Sequence, residues 1–252
     1  MKKIFIGLLC FYSFHISAQT DVDGLIAAGK QLDQAAKEEE ALQKFVAVLK
    51  MDPENYEANW QASFLFSRIG NRQTDNEKQK QYFITAKVYA QKALKLNPTD
   101  AESNFVMAVA MGRMALISGP KDKVGASREI KLYADLAIKY NPNHAGAWHV
   151  LGKWNFEIAN LNFAEKAAAN TFFGGVPDGA SVQNAINCYK KAIELRPNFI
   201  LYYLDLAIAY DNLDDSANAI STLKTAIALK PITEDDPAYL KKCNDLLIKL
   251  QD

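Results

Sequence analysis

The stretch Ala192-Ile193-Glu194-Leu195-Arg196-Pro197-Asn198 returns 34 residues later as Ala226-Ile227-Ala228-Leu229-Lys230-Pro231. Each copy reads as the end of an amphipathic helix halted by proline, which lacks the N–H for a further helical bond and clashes with the preceding turn. Taking each proline as position 32 of a unit makes residues 200–233 one repeat. Tyr203, Leu206, Ala207 and Tyr210 then stand at positions 4, 7, 8 and 11, and Ala219, Leu223 and Ala226 at 20, 24 and 27. Large side chains at 4, 7, 11 and 24 fill a seam between two antiparallel helices, and small ones at 8, 20 and 27 let the backbones close up.

The phrase recurs upstream at Pro53, Pro98 and Pro142, and the five prolines are spaced by 45, 44, 55 and 34 residues. Before Pro53, the residues Leu25, Ala28, Gly29, Leu32, Ala41, Phe45 and Val48 fill the same positions with no insertion. Counting back from Pro98 and Pro197 finds Ala86, Ala90 and Ala93, then Ala185, Tyr189 and Ala192, at 20, 24 and 27. Trp148, Leu151 and Gly152 hold positions 4, 7 and 8 of the unit after Pro142. This pattern resembles the tetratricopeptide repeat (TPR), whose period is 34. The expected fold is all-α: a TPR solenoid of five helix-turn-helix units, 22–55, 56–100, 101–144, 145–199 and 200–233. A capping helix in 234–252 then turns a charged face to solvent, as a solenoid end requires. The surplus residues of three units are expected between their helices, at 70–78, 118–127 and 160–181. The second of these reads as a flexible loop and not as a phosphate cradle, because five residues separate Gly119 from Gly125 and no Lys-Ser or Lys-Thr follows. The third is expected to be partly helical from its alanines and to break at Gly174-Gly175. Its paired Phe172 and Phe173 are expected to meet either the solenoid or a partner.

With 49% hydrophobic and 23% charged residues, the chain has the profile of a folded soluble protein. Residues 1–18 read as a secretory leader. Lys2 and Lys3 precede an apolar run from Ile4 to Ser13, which is far short of the roughly 20 residues a bilayer span needs. Cleavage after Ala18 would leave Gln19 first and place the protein in the periplasm or outside the cell. Leu9, where a small residue is wanted before Cys10, speaks against lipidation. Without the leader, 27 basic groups face 29 acidic ones. Such a balance exerts no global pull on nucleic acid, and no later stretch reads as a transmembrane anchor. Cys188 and Cys243 lie two units apart and read as small buried side chains, not as a bridge.

In TPR arrays the first helix of each unit lines the concave face. Positions 5 and 9 of the five units hold Ile26 and Lys30, Trp60 and Phe64, Phe105 and Val109, His149 and Lys153, and Leu204 and Ile208. Phe156 takes position 12 of the fourth unit, and Arg68 and Arg113 take position 13 of the second and third. The expected groove is therefore apolar with a short basic edge, and Trp60, Phe64, Phe105, Phe156, Leu204 and Ile208 are expected to share one surface. Ile26 and Lys30 do not match the Lys and Asn of a carboxylate clamp. Three readings stand: a groove filled by the insertions or the C-terminal helix, a groove for a protein or peptide segment, and a groove for a lipid-like apolar ligand. No catalytic residue, metal site or cofactor is expected. Past the leader only His144 and His149 remain, and no nucleophile stands with a base.

A narrower resemblance rests on Trp148-His149-Val150-Leu151-Gly152-Lys153-Trp154, on Glu157-Ile158-Ala159-Asn160, and on Phe172-Phe173-Gly174-Gly175-Val176-Pro177. These segments resemble the TPR domain of the regulator of microtubule dynamics family over roughly residues 100–250, including the long insertion. The resemblance implies the TPR fold. In eukaryotic members it also implies microtubule association and, for some, membrane-contact and lipid-handling roles. The leader-like first segment is a departure from that pattern.

Overall fold

A computed structural model of the chain describes the backbone of residues 9–251 and the side chains of 21–251 apart from Pro120. The expected leader, residues 1–18, lies outside the residues whose side chains are described. The described residues form twelve α-helices and no strand. Five antiparallel pairs follow one another: α1 (Leu9–Gln34) with α2 (Glu38–Met51), α3 (Tyr56–Asn71) with α4 (Asn76–Leu96), and α5 (Ala101–Leu116) with α6 (Pro120–Tyr140). The fourth is α7 (Ala145–Ala159) with α9 (Val182–Leu195), separated in sequence by α8 (Phe163–Phe172), and the fifth is α10 (Ile200–Asn212) with α11 (Ser216–Ile227). The last helix, α12 (Asp236–Gln251), packs on α11 and α10.

The repeat positions explain how each pair closes. At position 8 of the first and fourth units stand Gly29 and Gly152, and at position 24 stand the fully buried rings of Phe45 and Tyr189. A Cβ on Gly29 would lie 2.8 Å from the Phe45 ring, and one on Gly152 would lie 2.6 Å from the Tyr189 ring. In the second and third units both positions are small. Ser63 and Ala108 occupy position 8 and the small Ala90 and Ala134 occupy position 24, all fully buried. A ring thus needs a glycine opposite it in the first and fourth units, as close-packed interiors require.

Position 4 does more than fill space. Its polar tip bonds the carbonyl of the proline that ended the previous unit, at every junction: Asn59 Nδ2 to Pro53 O at 3.1 Å, Asn104 Nδ2 to Pro98 O at 2.9 Å, Trp148 Nε1 to Pro142 O at 2.8 Å and Tyr203 Oη to Pro197 O at 2.7 Å. These carbonyls lie in the turn just past each helix end, where no backbone N–H among the described residues is paired with them, and side chains of three kinds make the same link from one unit to the next.

Two expected loops are helix. Residues 70–78 contribute only a short turn before Asp75, whose side chain accepts from Lys78 N at 2.7 Å and starts α4. Residues 118–127 turn at Gly119 and then enter α6 with Pro120 in its first turn. Proline suits that position because its absent N–H has no helical partner there anyway. The surplus of 11 and 10 residues is close to three helical turns at 3.6 residues each, so it lengthens the hairpin without rotating the faces that meet. The insertion-free first and fifth units turn through a non-glycine residue in the left-handed region, Ala36 (φ 56°) and Asp214 (φ 58°).

The third insertion is partly helical, as expected. Asn162 and Glu165 form a reciprocal capping box at the start of α8, and Gly174 (φ 71°) and Gly175 (φ 118°) end it. The helix packs on the outer helix α6 and not in the concave face.

Candidate functional site

The first helices α3, α5, α7 and α10 lie side by side, each touching the next. Their inward positions form three tiers. The apolar tier joins the second and third units: the Phe64 and Phe105 rings meet tilted by 49° with centroids 5.4 Å apart, and Trp60 and Val109 pack on the same cluster. Phe105 is buried, while Trp60, Phe64 and Val109 remain partly open. The other expected groove residues do not join them. Phe156 packs with Ile186, Tyr189 and Leu206. Leu204 and Ile208 belong to a cluster completed by Tyr239 and Cys243 of α12. The six thus divide among three clusters, and the C-terminal helix covers the fifth unit's share.

The second tier is charged. His149 Nε2 lies 2.8 Å from Asp205 Oδ2, and Lys153 Nζ lies 3.7 Å from Asp205 Oδ1 and 3.5 Å from Glu157. Burial pushes the Asp205 carboxyl upward, but Lys153 and the hydrogen bond from His149 outweigh it and hold it below the usual 3.8. Asp205 in turn raises the Lys153 ammonium above 10.5. Nothing in the repeat pattern pointed to Asp205, although it is the sole charged residue from Ile200 to Tyr210.

The third tier replaces the expected basic edge with a paired cluster. Arg68 bonds the fully buried Glu38, lies 3.8 Å from Asp33 and 3.6 Å from Asp235, and sits over the Phe64 ring. Arg72 reaches Glu38 at 2.8 Å, Glu234 at 3.0 Å and Asp235 at 3.3 Å. Burial pushes the Asp33 and Glu38 carboxyls up, and Arg68 draws both partly back. Arg113 donates to Asn71 Oδ1 at 2.9 Å, while its Nε is buried with no hydrogen-bond partner. The acids of this tier come from the end of α1, the start of α2 and the Glu234-Asp235 pair. Sequence positions so far apart give no local sign that they meet.

Elsewhere, Lys30 pairs with Glu57 at 2.8 Å on the rim of a shallow cleft of about 430 Å³ that Ile26 also lines. His144 caps α7, its Nδ1 accepting from Ala147 N at 3.0 Å. Phe173 docks against Gly125 of α6, where a Cβ would lie 3.1 Å from its ring, and its carbonyl accepts from Arg128. Phe172 stays 56% exposed, with the Lys121 ammonium 4.6 Å from its ring centroid. Cys188 and Cys243 are free and buried, and burial pushes both thiols to about 11. No helix among the described residues is long and apolar enough to cross a membrane.

Five stacked helical pairs, with first helices lining one face and a helix closing the end, define a TPR solenoid. Solved structures agree at the level of fold. A thermophilic TPR protein of Thermus thermophilus, TTC0263, superposes with a TM-score of 0.65 at 16% identity, covering 88% of this chain and 98% of that one. PilF of Pseudomonas aeruginosa does so at 0.54 with 12% identity, covering 93% and 90%. The family model described as regulator of microtubule dynamics protein 1-3 matches residues 25–251, so the chain belongs to that family. The match extends well upstream of the segments that carry the resemblance in the sequence. Among relatives, regulator of microtubule dynamics protein 3 of Mus musculus is 25% identical over 93% of this chain and 50% of its own length. Protein 2 of Homo sapiens is 25% identical over 76% of this chain and 47% of its own length. The chain thus spans about half the length of the curated relatives it matches.

Proposed function

We propose that this protein is a non-catalytic scaffold that works outside the cytoplasm and binds a segment of another protein along its concave face. The TPR fold is one of protein-interaction scaffolds, and one observation carries the choice of face. Trp60 and Phe64 stay partly open beside the buried Phe105, at groove positions of adjacent units. Rigid aromatics that offer large apolar area at low entropy cost are the residues that dominate interface energetics. Export rests on the leader-like residues 1–18.

The test uses the mature chain and its Trp60→Ala/Phe64→Ala variant as baits on the native envelope fraction. Proteins captured by the first and lost by the second, with helicity unchanged, support the reading. Equal capture by both would move binding to another face. A lipid-like ligand found by mass spectrometry after solvent extraction, with no protein captured, would replace the segment by an apolar small molecule. The mass of the exported protein should begin at Gln19, and a retained Met1 would remove the export proposal.

A further inference from the structure

TPR solenoids are ordinarily open, each unit touching only its neighbours. Here residues 233–236 cross from the fifth unit to the first two. Asp236 fixes the crossing turn, its Oδ2 accepting from Ile232 N at 2.7 Å and Thr233 N at 2.8 Å. That turn delivers Glu234 and Asp235 to the arginines. Glu234 Oε1 also accepts from Glu38 N at 2.6 Å, at the first residue of α2. Two neighbouring carboxylates thus join Asp33 and Glu38 around the guanidiniums of Arg68 and Arg72, beside a helix N-terminus, where anions are favoured.

We propose that Arg68 and Arg72, with Arg113 behind them, form a receptor for an acidic peptide segment, and that the chain's own Glu234-Asp235 turn is its resident occupant. This rests on the reading of the concave face as a partner-binding surface and specifies the partner's chemistry: two adjacent acids leading into an amphipathic helix. Charge complementarity supplies the reason. Guanidiniums bind carboxylates through a rigid fork of donors, and the resident turn shows the backbone path an acidic segment follows. Competition with that turn makes the site self-limiting, so a partner gains access only by displacing it. Displacement also loosens the start of α12, whose Tyr239 and Cys243 pack in the cluster of Leu204 and Ile208.

The probe is a fluorescent synthetic peptide of residues 232–240, Ile-Thr-Glu-Asp-Asp-Pro-Ala-Tyr-Leu, followed by anisotropy. The Glu234→Gln/Asp235→Asn variant, which removes the resident turn's two charges and leaves Arg68 and Arg72 paired with Asp33 and Glu38 alone, should bind it at least tenfold tighter than the parent does, and salt should weaken that binding. Adding Arg72→Gln should abolish it while helicity holds. Equal affinity of parent and double variant overturns the proposal, as does equal binding of a peptide with Gln and Asn in place of Glu and Asp. Should the double variant not fold, amide exchange of α12 in the parent decides. Excess acidic peptide should speed it, and no acceleration overturns the proposal. Failure here alongside aromatic-dependent capture by the mature chain would remove the acidic receptor alone. Loss of that capture would remove the reading beneath it.

Discussion

Gly152 has no room for a methyl group, because Tyr189 fills the space its Cβ would take, 2.6 Å away. Gly152→Ala should therefore cost about 1–3 kcal/mol through overpacking, read from urea unfolding. Combining it with Tyr189→Leu recreates the Ala207 and Leu223 pair of the fifth unit, and the double variant should recover most of that loss. Additive losses would mean the two positions do not share volume. Ala36 offers the opposite case, since its φ of 56° is costly for a residue with a Cβ. Ala36→Gly should stabilise by about 0.5–1 kcal/mol despite the entropy glycine brings to the unfolded chain. Asp205 carries the pH prediction. Its folded pKa lies below 3.8, so its ionised form stabilises the fold above that value, and the gain disappears as pH falls through the depressed one. The parent should lose more stability on acidification below pH 3.8 than Asp205→Asn does, and parallel curves would contradict the assignment. Positions 8 and 24 were legible as seam residues because periodicity marks which face is buried. The hydrogen bonds of position 4 were not, since Asn59, Trp148 and Tyr203 have no common side-chain chemistry beyond a donor at the right reach.

At the scale of elements, the surplus residues were countable but their form was not. Gly119, Pro120 and Gly125 look like loop residues when taken singly. In the hairpin, Gly119 ends the turn, Pro120 opens α6, and Gly125 leaves the room that Phe173 occupies. The missed cue was length, because a surplus near three full turns can lengthen helices without disturbing their seam. The alanines of the insertion and the break at Gly174-Gly175 are local signals, and α8 was correspondingly readable, while the capping box of Asn162 and Glu165 that starts it was not singled out. Its two aromatics have different tasks. Phe173 is docked and Phe172 is exposed beside Lys121. Phe173→Ser should destabilise by about 1–3 kcal/mol, whereas Phe172→Ser should stay within about 0.5 kcal/mol, as surface changes do. Denaturant midpoints of the two single variants check this, and equal shifts would mean that α8 is not seated on α6 as described.

For the whole molecule, the consequence of closure is cooperativity. A linear solenoid frays from its ends, because terminal units have one neighbour and energies add unit by unit. Joining the first two units to the turn before α12 gives each end a second contact. Glu38 is the centre of that joint: fully buried, bonded to Arg68 and Arg72, with its backbone N–H held by Glu234. Removing one member of a buried ionic cluster leaves its partners uncompensated, at about 3–5 kcal/mol for full burial. The arginine side chains here are 12% and 23% exposed, so water softens the loss and Glu38→Ala should cost about 1–3 kcal/mol. The sharper expectation is where the loss appears. Glu38 opens α2, yet amides of α12 should exchange faster in the variant, because the turn that tethers that helix has lost its anchor. A solenoid stabilised only by neighbours would confine the change to α1, α2 and α3. Hydrogen exchange resolved along the chain separates the two outcomes, and unaltered protection of α12 would show that the end-to-end contacts do not couple the ends.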